Sequence, residues 1–230
     1  MNPKQTPFPA KWLSFNLRGY RECNSTYCAF PYESVPPLNM DLFRGEFQWL
    51  TELEPHLPLM EEGYGNSQQE RAALATSLNQ LVMVAKQMNL QLPDAFLKFM
   101  TTPYLQSQIP SCTCCYFDLP QRIIKSPFGD DGYFIRFLND QQCVLLWYLY
   151  LKPNGDHCVV VSPVFLDYES ADEFEGDFTA EAKKESTYFC APTFETFMYR
   201  FWTENKIWFA LYENRPLTKE QQAYMNHYKT

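Results

Sequence analysis

The chain has 230 residues, 46% hydrophobic and 20% charged, which excludes wholesale disorder and leaves enough length for one sizeable core with an elaborated terminus. Lys and Arg number 19 against 27 Asp and Glu, for a net charge of −8. The nearest thing to a basic cluster is the pair Lys183-Lys184, so a surface that neutralises phosphates is excluded and nucleic acid is not an expected partner.

Residues 1 to 40 are broken by Pro3, Pro7, Pro9, Pro31, Pro36 and Pro37, and their aromatic content predicts that they pack onto something. Asp41 as N-cap, with Leu42, Phe43, Phe47, Leu50 and Leu53 at helical spacing, predicts a short helix to Glu54; Pro55 to Asn66 reads as a linker. Ser67 and Glu70 form a capping box for a helix to about Leu90, with Leu74, Leu78, Leu81, Val82, Ala85 and Met88 on one face. Leu92-Pro93-Asp94 opens a further helix ending at Pro103.

From Cys112 the texture becomes β-rich. Strands are predicted over Thr113 to Leu119, Tyr133 to Leu138, Cys143 to Leu151 and His157 to Phe165, the third apolar on both alternating faces as a covered central strand would be. Asn154-Gly155 between the last two signals a hairpin. Helical spacing returns at Phe194, Phe197, Met198, Phe201 and Trp202 after the cap Thr193, and Thr218 with Gln221 caps a terminal helix ending near Tyr228. The order helices, strands, helices gives an α+β class with an antiparallel sheet of about four to six strands flanked by helices. Residues 1–66 read as an N-terminal extension packing on the core, and 67–230 as an α+β domain with a C-terminal helix.

The start lacks the regions of a secretory signal, and the longest apolar run, Cys143 to Leu151, is well below the roughly 20 residues of a membrane helix. The expectation is a cytoplasmic protein without a membrane partner, its 8 Cys mostly reduced, with an opportunistic disulfide open to Cys23 and Cys28. Nucleotide motifs are absent and 8 Gly leave little for a phosphate cradle. Neither His56, His157 nor His227 sits in a catalytic signature, and Cys112, Cys114 and Cys115 form only half of a zinc motif, so catalytic residues, metal and cofactor are expected to be absent. Trp147, Tyr148, Tyr150, Trp202 and Trp208 read as filling between helix and sheet.

The sharpest local signal is charge. From Asp167 to Glu181 there are seven acids and no base, while the other 20 acids face 19 bases. Within this run Asp167, Glu169, Asp172, Glu173, Glu175 and Asp177 alternate with Tyr168, Phe174 and Phe178, a pattern that gives a basic partner both contact area and steering. These nine residues are the predicted partner-binding set.

Leu92-Pro93-Asp94-Ala95-Phe96-Leu97-Lys98-Phe99-Met100 resembles the Leu-Pro helix of the SUKH superfamily, which includes fungal cell-wall-assembly regulators and bacterial immunity proteins. Phe137-Leu138-Asn139-Asp140, Val161-Ser162-Pro163-Val164 and Thr193-Phe194-Glu195-Thr196-Phe197 continue the likeness in order. Thr101-Thr102-Pro103-Tyr104 departs from the glycine turn common in that family. The resemblance implies a non-enzymatic binding fold, with immunity against a basic toxin, often a nuclease, as the expected role. A regulatory scaffold without a toxin is the alternative, and a metal-dependent enzyme using the Cys112 to Cys115 region is a third.

Overall fold

The computed structural model describes residues 1–57, 68–167 and 179–229. Strands β1 (Lys11–Ser14) and β2 (Cys28–Pro31) form a two-stranded antiparallel ribbon. Three helices follow, α1 (Gln68–Gln87), α2 (Asp94–Thr101) and α3 (Pro103–Ser107). Next come β3 (Tyr116–Phe117), β4 (Ile124–Lys125), β5 (Tyr133–Asn139), β6 (Leu146–Leu151) and β7 (His157–Ser162). Helix α4 (Ala180–Glu185), strand β8 (Tyr188–Ala191), and helices α5 (Phe194–Tyr212) and α6 (Lys219–Asn226) complete the chain.

The main sheet has the order β3-β5-β6-β7-β8, with β4 pairing along the other end of β5, and every pair is antiparallel. This is the α+β architecture that the pattern of elements predicts. All six side chains of β6 are buried because both sheet faces are covered. Trp147, Leu149 and Leu151 meet the helical side, against Phe96 and Phe99 of α2 and Phe194, Phe197 and Phe201 of α5. Tyr148 and Tyr150 point the other way, into a cluster with Phe8, Phe134, Phe165 and Phe189. The aromatic residues of β6 are therefore core.

Local chemistry explains the elements that form where expected. The β6–β7 hairpin turns at Gly155, whose φ of 87° suits glycine, and closes with the Lys152 amide donating to the Asp156 carbonyl at 2.9 Å. The hydroxyl of Thr193 caps α5 by accepting from the Thr196 amide, and Thr218 caps α6 through the Gln221 amide. Helix α1 buries Leu78, Leu81 and Ala85 but leaves Val82 exposed. Ser67, its expected cap, lies outside the described residues, as does most of the expected linker.

The helix expected from Leu42 to Glu54 does not form. One 3₁₀ turn, Met40–Leu42, is present, and Gly45 (φ 82°) and Phe47 (φ 53°) then take left-handed conformations that no helix tolerates. The cause lies on α5. The Glu195 carboxylate accepts from the amides of Gly45 at 2.6 Å and Phe47 at 3.1 Å and from the Trp49 indole at 3.1 Å, so backbone donors that a helix would have used are satisfied from elsewhere.

The first 57 residues are integral to the packing. Trp12, Val35 and Phe47 belong to the main core, and the Phe189 amide of β8 donates to the Pro9 carbonyl at 3.0 Å. Strands β1, β2, β4 and β8 are additions to the expected set, and the strand expected over Thr113 to Leu119 shrinks to Tyr116–Phe117. Cys23 and Cys28, with Cα atoms 5.7 Å apart, are joined by a disulfide, the one pairing that their sequence context left open.

Candidate functional site

Asp167 is the one member of the predicted partner-binding set that the structure describes, and it is buried rather than presented to solvent. Arg136 of β5 lies directly opposite Tyr148 of β6, and both reach the same carboxylate: Arg136 Nε stands 3.1 Å from one Asp167 oxygen and the Tyr148 hydroxyl donates to the other at 3.1 Å. Arg122 adds a hydrogen bond to the Asp167 carbonyl at 2.5 Å, and the Leu166 amide donates to the Tyr148 hydroxyl at 3.1 Å. Burial, then the Asp167 charge, pushes the Tyr148 phenol well above its ordinary range, so it remains a donor. Asp167 thus anchors the chain to the sheet. Tyr168, Glu169, Asp172, Glu173, Phe174, Glu175, Asp177 and Phe178 lie outside the described residues. The chain is described again at Thr179, whose hydroxyl caps α4 through the Ala182 amide at 3.2 Å.

The residues of the metal-enzyme alternative are not brought together. Cys115 is adjacent to Tyr116, which aligns with Asn139, Leu146 and Ser162 across the sheet, whereas His157 aligns with Leu151 and Tyr133. The two rows are separated by the length of β7, about 16 Å at a strand rise of about 3.3 Å per residue. Burial pushes the Cys115 thiol up to about 11 and Cys112 well above its ordinary value, so both stay protonated and neither is an activated nucleophile. Cys115 is instead part of a hydrogen-bonded knot: its amide donates to Ser111 Oγ at 2.9 Å, and the Tyr27 hydroxyl nearby donates to Asp140 at 2.7 Å. Among the described residues, no three His, Cys, Asp or Glu side chains are grouped so as to hold a metal ion.

Sequence reasoning passed over a heavily bonded buried charge, Glu204. Glu204 of α5 is fully buried, and its two oxygens accept five hydrogen bonds: Trp12 Nε1 at 2.9 Å, Ser14 Oγ at 2.6 Å, Arg21 Nη1 and Nη2 at 2.8 and 2.7 Å, and the Tyr224 hydroxyl at 2.9 Å. It ties the N-terminal ribbon, α5 and α6 into one unit. The available signal was an acid in an apolar helical stripe between Phe201 and Ile207.

The described residues also line an open groove of about 520 Å³. Pro36, Pro37 and Phe43 of the loop before α1, Tyr199 of α5, and Glu220 and Ala223 of α6 line it. Its floor meets the Glu204 assembly through Tyr224.

No family model, curated protein or solved structure matches the chain. No helix among the described residues is long and apolar enough to cross a membrane.

Proposed function

We propose that the chain is a non-enzymatic protein-binding module of SUKH type, acting in the cytoplasm, that takes a basic protein through its acidic segment, with neutralisation of a basic toxin as its specific role. The observation that carries this reading is the charge distribution: seven acids and no base between Asp167 and Glu181, against a nearly balanced remainder. Acids at that density raise the association rate with a basic surface and suppress other partners, while the interleaved Tyr168, Phe174 and Phe178 supply contact area. The clamp of Asp167 by Arg136, Tyr148 and Arg122 fixes the chain to the sheet at the start of that segment.

The test is capture from native extract at about 0.05 M and about 0.5 M salt, with the wild-type chain and with the variant Asp172→Asn/Glu173→Gln/Glu175→Gln/Asp177→Asn in parallel. The reading expects a basic polypeptide held by the wild type at low salt, released at high salt and lost from the variant. Co-expression of the chain should then relieve the toxicity of that polypeptide. Equal retention by the variant would overturn the role given to the acids.

A further inference from the structure

The geometry points to the groove between the Pro36–Pro37 loop and α6 as a second binding surface, whose occupant is an extended, proline-rich segment of a partner protein carrying a Lys or Arg beside the prolines. Three features of the groove select that occupant. Its walls are largely apolar: Pro36 and Pro37 on one side, Phe43 and Tyr199 packed edge-to-face at 5.2 Å on another. At about 520 Å³ it is in the range of ligand clefts, roughly 300–1,000 Å³.

The walls also present hydrogen-bond donors. The Tyr199 hydroxyl makes no hydrogen bond among the described residues, and Asn39 spends its oxygen on the Asp41 amide at 3.1 Å while its amino group has no partner there. A polyproline helix has no internal hydrogen bonds, and its prolines lack N–H groups, so it offers carbonyl acceptors and apolar rings to a surface of just this kind.

Charge sets the flank. Among the described residues Glu220 is the one carboxylate lining the groove, with His227 also lining it, and no Lys or Arg lines it. The nearby Arg44 turns its guanidinium back onto the Asp41 carbonyl at 3.2 Å. Hydrogen bonds from the Glu220 backbone and from Thr218 hold the Glu220 carboxyl below its ordinary range, so it is ionised at neutral pH.

The inference does not depend on the acidic segment, and the experiment keeps the two apart. Fluorescence anisotropy is measured with a labelled (Pro-Leu-Pro)₃-Arg-Arg peptide and with (Ala-Leu-Ala)₃-Arg-Arg as control, against four proteins. These are the wild type, the acid-neutralised quadruple variant, Tyr199→Phe, and Ala223→Trp, which fills the groove from an exposed position of α6. The expected result is saturable binding of the proline peptide by the wild type and the quadruple variant alike. Tyr199→Phe, a variant that keeps the ring, should weaken it about fivefold, and Ala223→Trp about tenfold or more. Replacing the Arg pair by Glu should weaken it about threefold in the wild type but not in Glu220→Gln.

Equal affinity for the two peptides, no saturation up to about 1 mM, or unchanged binding by Ala223→Trp would overturn the inference. So would a concentration-dependent dimer abolished by Ala223→Trp, which would give the groove to a second copy of the chain.

Discussion

The Arg21 guanidinium forks onto both oxygens of the Glu204 carboxylate, at 2.8 and 2.7 Å, and neither side chain is exposed. The pair joins the N-terminal ribbon to the last long helix, so its removal should be felt throughout the molecule. Arg21→Met leaves a buried charge without its counterion and should cost about 3–5 kcal/mol in chemical denaturation. In Arg21→Met/Glu204→Leu the loss should be smaller than the sum of the singles, with a coupling of about 1–3 kcal/mol. Additive losses would mean that the pair does not act as a unit.

The same carboxylate predicts a pH dependence. Burial opposes the Glu204 charge, but Arg21 and the hydrogen bonds from Arg21, Ser14 and Trp12 outweigh it and hold the carboxyl below its ordinary range. A depressed folded value stabilises fully above the unfolded value of about 4.3, and the contribution is lost as pH falls through the folded value. Urea midpoints taken from pH 7 down to pH 3 should therefore fall more steeply for the wild type than for Glu204→Gln below about pH 4.3.

Gly132 has a steric role. A Cβ at this position would stand 2.0 Å from Cε2 of Tyr150, a ring that is fully buried beneath Phe8 and Phe134. Gly132→Ala should cost about 1–3 kcal/mol through overpacking. In the Tyr150→Leu background Gly132→Ala should cost less than it does in the wild type, because the colliding ring is gone. Thermal denaturation of the three variants checks this.

Glu195 holds the loop that carries the groove's Phe43 wall. With Glu195→Ala, the Gly45 and Phe47 amides and the Trp49 indole lose their acceptor. Stability should fall by about 1–3 kcal/mol, and hydrogen exchange should accelerate first at residues 45–49. Exchange that rises uniformly over the chain would show that Glu195 supports the fold generally and not this loop.

What could be read in advance was whatever local chemistry decides. Thr193, Thr218 with Gln221, and Asn154-Gly155 each carry their own turn or cap within a few residues, and the elements they bound form as expected. The unbroken apolar run to Leu151 likewise placed β6 at the centre of the sheet. Contacts across long separations decided the rest. Residues 42–54 have helical spacing, yet Glu195, 150 positions beyond Gly45, sets their conformation. Asp167 looked like one of a row of exposed acids, and only the pairing of β5 with β6, which sets Arg136 beside Tyr148, reveals it as the buried root. Glu204 gave no motif, because its five donors come from four separate positions in the chain.

The central claim is that acids 169–177 steer a basic partner onto the chain. Its most direct test is the association rate of the captured polypeptide, measured by stopped flow at about 0.05 M and about 0.5 M salt for the wild type and for Asp172→Asn/Glu173→Gln/Glu175→Gln/Asp177→Asn. The account predicts a wild-type rate that falls about tenfold or more across that range and a variant that is slow already at low salt. A wild-type rate indifferent to salt and matched by the variant would contradict it.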